Sequence, residues 1–433
     1  MQQSATNPLH RYLDADAALN GDDTLTPIDR ILDAVRKHLG MEIAFASRIH
    51  DGLREFTHIR HDCPVPVAPG MAEPLEQTLC HAVLEGRLPA LMHDAQQHDA
   101  AQPMPITLAL PVGSHLNVPL MLSDGQVYGT FCCVSRVPDH SLTERDMATL
   151  RAFAQLAAHQ IERDLAGQRS RTAITDRIAT VLSADTITIL HQPIHDMRSG
   201  RPVGVECLAR FADAGVRGPD QWFAEAAAVG LGEELELLAV RAALRTLPHV
   251  PPGCYIAINV SPETVISGAL RSLIGGGTPD RLVIEMTEHS AVNNYAALKA
   301  ELQPLRAHAR IAIDDVGSGY AGLRHIVDLK PDILKLDMSL TRDIDSDPAR
   351  RALAQALVSF AREIDCSLVA EGVETHGERD TLDRLQVQLA QGYLFSRPMP
   401  VVAAQQLLLG RQEIDPPALP PRPLPAELLT RTA

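Results

Sequence analysis

Arg310-Ile311-Ala312-Ile313-Asp314-Asp315 is an apolar run closed by two adjacent carboxylates, and the arrangement recurs along the second half of the chain. Leu282-Val283-Ile284 ends on Glu285, with Glu288 three residues on. Tyr255-Ile256-Ala257-Ile258 ends on Asn259, and Glu206 lies near the end of Val203–Leu208. Lys335 and Asp337 straddle the end of Ile333–Leu336; Glu371 and Glu374 follow Leu368-Val369-Ala370; Gln391 precedes Gly392. Strands are expected at Thr188–Gln192, Val203–Leu208, Tyr255–Val260, Leu282–Met286, Arg310–Asp314, Ile333–Leu336, Ser367–Ala370 and Gly392–Phe395. Helical spacing falls between many of them, as at Glu233–Leu247, Asn293–His308 and Pro348–Ile364. About eight strands in roughly 220 residues predict an α/β fold of the (β/α)8 type, whose parallel strands bring their C-terminal ends to one rim.

Carboxylates crowded on one rim repel one another unless cations neutralise them. Ligation by Glu, Asp and Asn oxygens suits hard divalent ions, Mg2+ or Mn2+, better than zinc. Two such ions about 3.5–4 Å apart clamp a phosphodiester and acidify water, with one of two adjacent aspartates bridging them. The rim's single lysine is placed to hold water or developing phosphorane charge. Each carboxylate alone reads as a helix cap or ion-pair partner. Eight or more, each closing a separate apolar run in order, do not.

The rest of the composition narrows the setting. Thirty-nine basic against 54 acidic residues give a net charge of −15. That surface repels polyphosphate chains, so no nucleic-acid polymer is expected as a partner, although metals can reverse the field inside a pocket. No run is apolar enough to span a membrane, and Met1–Asp14 lacks the order of a signal peptide. The seven cysteines are scattered without a CxxC pair, which points away from a disulfide framework or zinc site and towards reduced thiols in the cytoplasm.

Residues 1–24 are expected to be a flexible leader. An amphipathic helix begins at Thr26, with Ile28, Ile31, Leu32, Val35 and Leu39 on one face. Apolar stretches follow at Ile43–Ile49 and Phe56–Ile59, a helix at about Pro74–Leu84 and a strand at Leu88–Met92. Leu116–Leu122 and Val127–Val134 flank Ser123-Asp124-Gly125, a hairpin signal, and the whole is an α+β pattern. From Thr143, apolar spacing runs through Met147, Leu150, Phe153, Leu156, Ile161, Ile174, Ile178 and Leu182, predicting one long connecting helix or two end to end. That helix serves either as a rod with a dimer seam or as a tether. A Pro-rich tail occupies 410–433.

At these residues the chain resembles a known family. Gln192-Pro193-Ile194, Gly204-Val205-Glu206-Cys207-Leu208-Ala209-Arg210-Phe211, Asn259-Val260-Ser261, Glu285-Met286-Thr287-Glu288 and Asp314-Asp315-Val316-Gly317-Ser318-Gly319-Tyr320 are similar to motifs of the EAL domain cyclic di-GMP phosphodiesterases. So are Lys335-Leu336-Asp337, Ala370-Glu371-Gly372-Val373-Glu374 and Gln391-Gly392-Tyr393, the match covering about 186–409. The resemblance implies a modified TIM barrel that linearises cyclic di-GMP to pGpG. It implies one metal on Glu206, Asn259, Glu285 and Asp314, and a second on Asp314, Asp315 and Glu371. Lys335 and Gln391 would position water and phosphate; Glu288 would anchor the loop after Asp315; Glu374 would support the structure. Gln192, Arg210 and Asp337 are candidate substrate contacts.

Two places depart from the family pattern, Cys207 and the loop after the paired aspartates, which also has Ala321-Gly322 where serines are common. Cys207 stands where alanine is usual, and strand alternation turns it away from Glu206. Val316 stands where phenylalanine is usual, in a loop that in the family links the metals to a dimer contact. No expected metal ligand is missing, so an active enzyme is expected; the rival reading is a catalytically weak receptor that binds cyclic di-GMP and signals to a partner. No Gly-Gly-Asp/Glu-Glu-Phe cyclase signature is present.

Residues 25–165 are similar to a GAF domain in the Leu79-Cys80-His81 helix, Val118-Pro119-Leu120, Asp124-Gly125 and Val127-Tyr128-Gly129-Thr130. Cys80-His81 is similar to the pair that attaches bilins in some GAF photoreceptors; a buried structural cysteine is the expected reading. The sensor's ligand is not legible. The expected organisation is leader 1–24, sensor 25–165, helical linker 166–185, phosphodiesterase domain 186–409 and tail 410–433, as a homodimer through the barrel and connecting helix.

Overall fold

The computed structural model describes residues 25–102, 104, 112–212, 217–275, 281–287, 294–317 and 323–410. The chain divides into two compact units, residues 1–170 and 171–433. Among the described residues, no helix is long and apolar enough to cross a membrane.

In the first unit, helix α1 (Pro27–His38) starts at Thr26, whose hydroxyl accepts the Asp29 amide while the Asp29 carboxylate accepts the Thr26 amide. This reciprocal cap fixes the helix start, and Ile28, Ile31, Leu32 and Val35 then bury one face. Strands β1 (Ile43–His50), β2 (Leu53–His61), β3 (Ala72–Pro74), β4 (Leu91–Met92), β5 (His115–Met121) and β6 (Val127–Val134) form one sheet in the order β3-β2-β1-β6-β5-β4. Every neighbouring pair in it is antiparallel.

Two sequence expectations shift here. The helix expected over about 74–84 is a 3-10 turn, Leu75–Gln77, followed by helix α2 (Leu79–Leu84). Thr78 separates them because it takes an extended conformation to cap α2 with its hydroxyl. The strand expected at Leu88–Met92 is confined to its last two residues, Leu91–Met92.

The sheet separates two cores. Alternation on β6 sends Phe131 and Cys133 towards α1, and Cys132 and Val134 towards Phe45, Phe56 and Cys80. Helix α3 (Glu144–Ala184) is continuous through Gly167, which settles the choice between one helix and two. Its early turns bury Met147, Leu150, Phe153, Ala157 and Ile161, residues 166–173 are all exposed, and Ile178 and Val181 are buried in the core of the second unit.

That second unit is a barrel. Strands β7 (Thr188–Asp196), β8 (Pro202–Arg210), β9 (Tyr255–Asn259), β10 (Leu282–Thr287), β11 (Arg310–Val316), β12 (Ile333–Leu336), β13 (Ser367–Ala370) and β14 (Leu389–Ala390) follow one another around it. Pairing of β14 with β7 closes the ring, and β15 (Met399–Pro400) is added on β7. β7 is antiparallel to both of its ring neighbours, whereas β8 to β14 run parallel, so this is a modified TIM barrel. The strand expected at Gly392–Phe395 is instead a turn; the eighth stave is the short run before it. Leu394 and Phe395 imitate a strand in sequence because they pack against the barrel core from that turn.

Period-two alternation then builds the rim. Tyr255, Ala257, Val283, Ala312, Ile333 and Val369 fill the lumen. Two residues after five of these, on the same face, come Asn259, Glu285, Asp314, Lys335 and Glu371. The residues between them, such as Ile258, Ile284, Ile313, Leu334 and Ala370, face the surrounding helices. Gly204 has no side chain because a Cβ there would lie 2.7 Å from the Tyr255 ring.

Candidate metal centre on the barrel rim

Lys335 stands at the centre of the rim, with only 1% of its side chain exposed. Its Nζ lies 2.7 Å from Glu371, 2.9 Å from Glu285, 3.0 Å from Asp314 and 3.6 Å from Glu206. Glu206 is held by two amide donors: Asn259 Nδ2 at 2.9 Å and Gln391 Nε2 at 2.7 Å. Gln391 also donates to Gln192 Oε1, and Gln192 in turn donates to the Ser396 carbonyl. Gln391 can be seated so closely because Gly392 follows it; a Cβ at Gly392 would collide with the Val373 backbone at 2.2 Å.

Four carboxylates around one ammonium leave excess negative charge in a buried place. Burial pushes the Glu285 pKa well above the usual carboxylate value; Lys335 opposes that rise, while Glu206 and Asp314 add to it. Burial likewise raises Glu371, to about 8. At Glu206 burial also acts upward, but Lys335 and the two amide donors outweigh it and the pKa falls. Burial acts to lower Lys335, and the four carboxylates overcome this and hold it well above its usual value. Such a site has unmet demand for positive charge.

The ligand atoms form two overlapping triads. One oxygen each of Glu206, Glu285 and Asp314 lie within 4.8 Å of one another, and so do those of Asp314, Asp315 and Glu371. Asp314 belongs to both. Adjacent strand residues should face opposite ways. Asp315 escapes that rule through a left-handed backbone, φ 59°, at a register irregularity where β11 meets β12. An all-oxygen donor set of this kind fits two hard divalent cations.

A cleft of about 280 Å³ opens over the cluster, with Gln192, Glu206, Asp314, Glu371, Gln391 and Tyr393 in its lining. Arg210 and Asn259 border a neighbouring hollow of about 420 Å³, where Arg210 donates to its neighbour's carbonyl, Ala209 O. Asp337 caps the short helix Met338–Thr341 by accepting the Ser339 amide. Glu374 pairs with Arg342 at 3.2 Å. Glu288 lies outside the described residues. Cys207 is buried in the outer core, away from Glu206. Two cleft residues carried no role in the sequence reading, Met338 and Tyr393, both partly exposed. Tyr393 was marked only by following Gly392; Arg397 lies 4.2 Å from its ring centroid.

Comparison with known proteins agrees with this architecture. Residues 175–398 match the EAL domain family and residues 28–162 the GAF domain. "Cyclic di-GMP phosphodiesterase NbdA" of Pseudomonas aeruginosa is 29% identical over 246 residues, covering 54% of this chain and 31% of that protein. "Probable cyclic di-GMP phosphodiesterase PdeD" of Escherichia coli is 30% identical over 263 residues, covering 57% of this chain and 48% of that one. The chain thus spans less than half the length of these relatives. The EAL enzyme Bd1971, in a form bound to cAMP and cyclic di-GMP, superposes with a TM-score of 0.53 at 18% identity over 85% of this chain and 93% of that one, a likeness of fold. With about half of its length, residues 175–398, inside the EAL match, the chain belongs to the EAL domain family.

Proposed function

We propose that this chain hydrolyses cyclic di-GMP to linear pGpG at the barrel rim with two divalent cations, Mg2+ or Mn2+. The observation that carries this reading is the sharing of Asp314 by two oxygen triads. Glu206, Asn259, Glu285 and Asp314 would hold one cation, and Asp314, Asp315 and Glu371 the other. When bound, the cations supply Lewis-acid polarisation of the phosphodiester and acidify water. Lys335, once relieved of the carboxylates it now neutralises, donates to a phosphate oxygen or orients water. Gln391 keeps Glu206 turned to its ligand position, and Glu371 accepts a proton when it is not ligating. Gln192 in the cleft, Arg210 beside the hollow that Asn259 also borders, and Asp337 at the cap of the helix after β12 are the proposed substrate contacts. Glu288 is assigned to anchoring the loop after Asp315. The relatives named as cyclic di-GMP phosphodiesterases support the substrate.

The wider proposal is a cytoplasmic homodimer joined through the barrel and connecting helix, in which a sensor at 25–165 acts through a linker at 166–185 on a phosphodiesterase domain at 186–409. The exposed turns at 166–173 are polar apart from two alanines and a glycine, so a helix contact there would run over polar surface.

The test is incubation of purified protein with cyclic di-GMP and Mg2+ or Mn2+, with nucleotides separated by chromatography. Linear product that is lost in Glu206→Ala is expected; tight binding without turnover would favour a receptor. Removal of residues 1–165 should change the rate if the sensor regulates, and light scattering reads the dimer.

A further inference from the structure

The sensor unit contains a second group of ligand atoms, of different chemistry. One ligand atom each of Cys80, His115 and Cys132 lie within 4.8 Å of one another, and all three residues are at most 1% exposed. They come from α2, β5 and β6. The register pairs Asn117 with Cys132 and His115 with Val134, so His115 and Cys132 are diagonal neighbours on one sheet face. α2 lays Cys80 over that face with its sulfur 3.4 Å from Cys132 Sγ. Two thiolates bound tetrahedrally at about 2.3 Å from a zinc ion stand about 3.8 Å apart, so the pair needs to open by only a few tenths of an ångström.

Independent features point to a missing ligand. Nδ1 of His115 is buried without a hydrogen-bond partner, and so is Oδ1 of Asn117. Orphaned buried polar atoms are costly unless something satisfies them. A cavity of about 30 Å³ adjoins the group, with Cys80, His115, Arg54 and Phe45 in its lining, room for one small exogenous ligand. The Arg54 guanidinium donates to Cys80 Sγ at 2.9 Å and pairs with Glu73. A divalent ion would balance two thiolates while Arg54 balances Glu73, so the filled site is neutral.

We propose that the sensor unit binds a thiophilic divalent metal ion of the zinc class on Cys80, Cys132 and His115, its fourth position open to the small cavity. This goes beyond the phosphodiesterase reading and is independent of it. Thiolate and imidazole ligands select such ions over the Mg2+ or Mn2+ that suit the barrel's oxygens. Binding requires both cysteines as thiolates, so the thiol protons of Cys80 and Cys132 leave to solvent as the metal enters. No CxxC pair announces the site because its cysteines are 52 residues apart and the fold brings them together.

The experiment uses the full chain, reduced and stripped with chelator, titrated with Co2+. A sulfur-to-cobalt charge-transfer absorption displaced by Zn2+ is expected, with the intensity of one thiolate-bound cobalt per chain once the barrel's oxygen sites are also filled. Cobalt in the all-oxygen barrel site gives no such band, so the result does not depend on turnover. Cys80→Ser and Cys132→Ser should lose the band, while Cys133→Ser, a buried thiol on the other sheet face, should keep it. Circular dichroism checks folding of each variant. His115→Gln keeps both sulfurs and should weaken Co2+ binding about tenfold or more. Absence of the band in the reduced protein, or a band that survives both cluster cysteine variants, overturns the proposal.

Discussion

Lys335 and Cys207 lie within the same barrel and sort oppositely by the direction of their side chains. Among the described residues, Lys335 is the only cation paired with all four rim carboxylates, the buried Glu206, Glu285 and Asp314 and the half-buried Glu371. Lys335→Met is therefore expected to destabilise the chelator-treated protein by about 3–5 kcal/mol, the usual result of removing one partner from a buried ionic group. Saturating Mn2+ should restore most of that stability. Turnover should fall about 100- to 1000-fold, because the donor to developing charge is gone. Thermal melts with and without Mn2+, beside product formation, check both parts; an unchanged melt in chelator would show that the ammonium is not the cluster's counter-ion. Cys207 is buried among the apolar residues outside the barrel wall. Cys207→Ala should leave turnover unchanged and cost about 1 kcal/mol of stability for the small volume lost. A loss of activity would mean that the unusual residue beside Glu206 has a chemical part.

At the scale of elements, the long helix offers the sharper test. Gly167 sits in its exposed middle, and a Cβ there would meet nothing within 4 Å. Gly167→Ala is expected to stabilise this stretch by about 1 kcal/mol, the propensity difference between the two residues in a helix interior. Slower amide hydrogen exchange at residues 162–174 reads the effect directly; unchanged exchange would show that the stretch is stabilised by something other than its own helicity. This glycine also shows what the sequence made legible and what it hid. Apolar spacing runs on both sides of it, and the helix is one piece because glycine costs a helix too little to break it when packed turns lie on either side. The strand set was legible for the same reason: a period of two puts lumen residues and rim ligands on one face and helix-facing residues on the other, without reference to the tertiary fold. The eighth stave was misplaced because two strand residues, Leu389–Ala390, carry no period, while Leu394 and Phe395 carry apolarity without pairing. Asp315 faces the site through a left-handed backbone, and neither alternation nor spacing predicts that. The proximity of Cys80, Cys132 and His115 in the GAF unit was invisible because it depends on sheet register and on where a helix lies.

For the whole molecule, the barrel's excess negative charge links metal, proton and stability. Burial raises Glu371 to about 8 and pushes Glu285 well above its usual range, so the metal-free native state holds protons that the unfolded chain, with carboxyls near 4.5, has released. Where the native state binds more protons, stability falls as pH rises, by about 1.4 kcal/mol per pH unit for each proton of difference. The raised Glu371 group therefore contributes stability that is fully present below pH 4.5 and lost by about pH 8. His191 and His195 work the other way, since burial lowers both to about 4, but their effect is exhausted above about pH 6.5. The clean window is thus pH 6.5 to 8. Within it, chelator-treated protein is expected to lose stability relative to the Glu371→Gln variant as pH rises, a comparison in which the thiols of the GAF unit cancel. Saturating Mn2+ should abolish the difference in slope, because a cation replaces the protons; calorimetry in buffers of different ionisation enthalpy should count proton release on metal binding, falling towards zero as pH passes 8. Urea melts of the two proteins across this window give the measurement. Parallel slopes in chelator would mean that Glu371 is already ionised without metal and that Lys335 alone suffices to balance the rim.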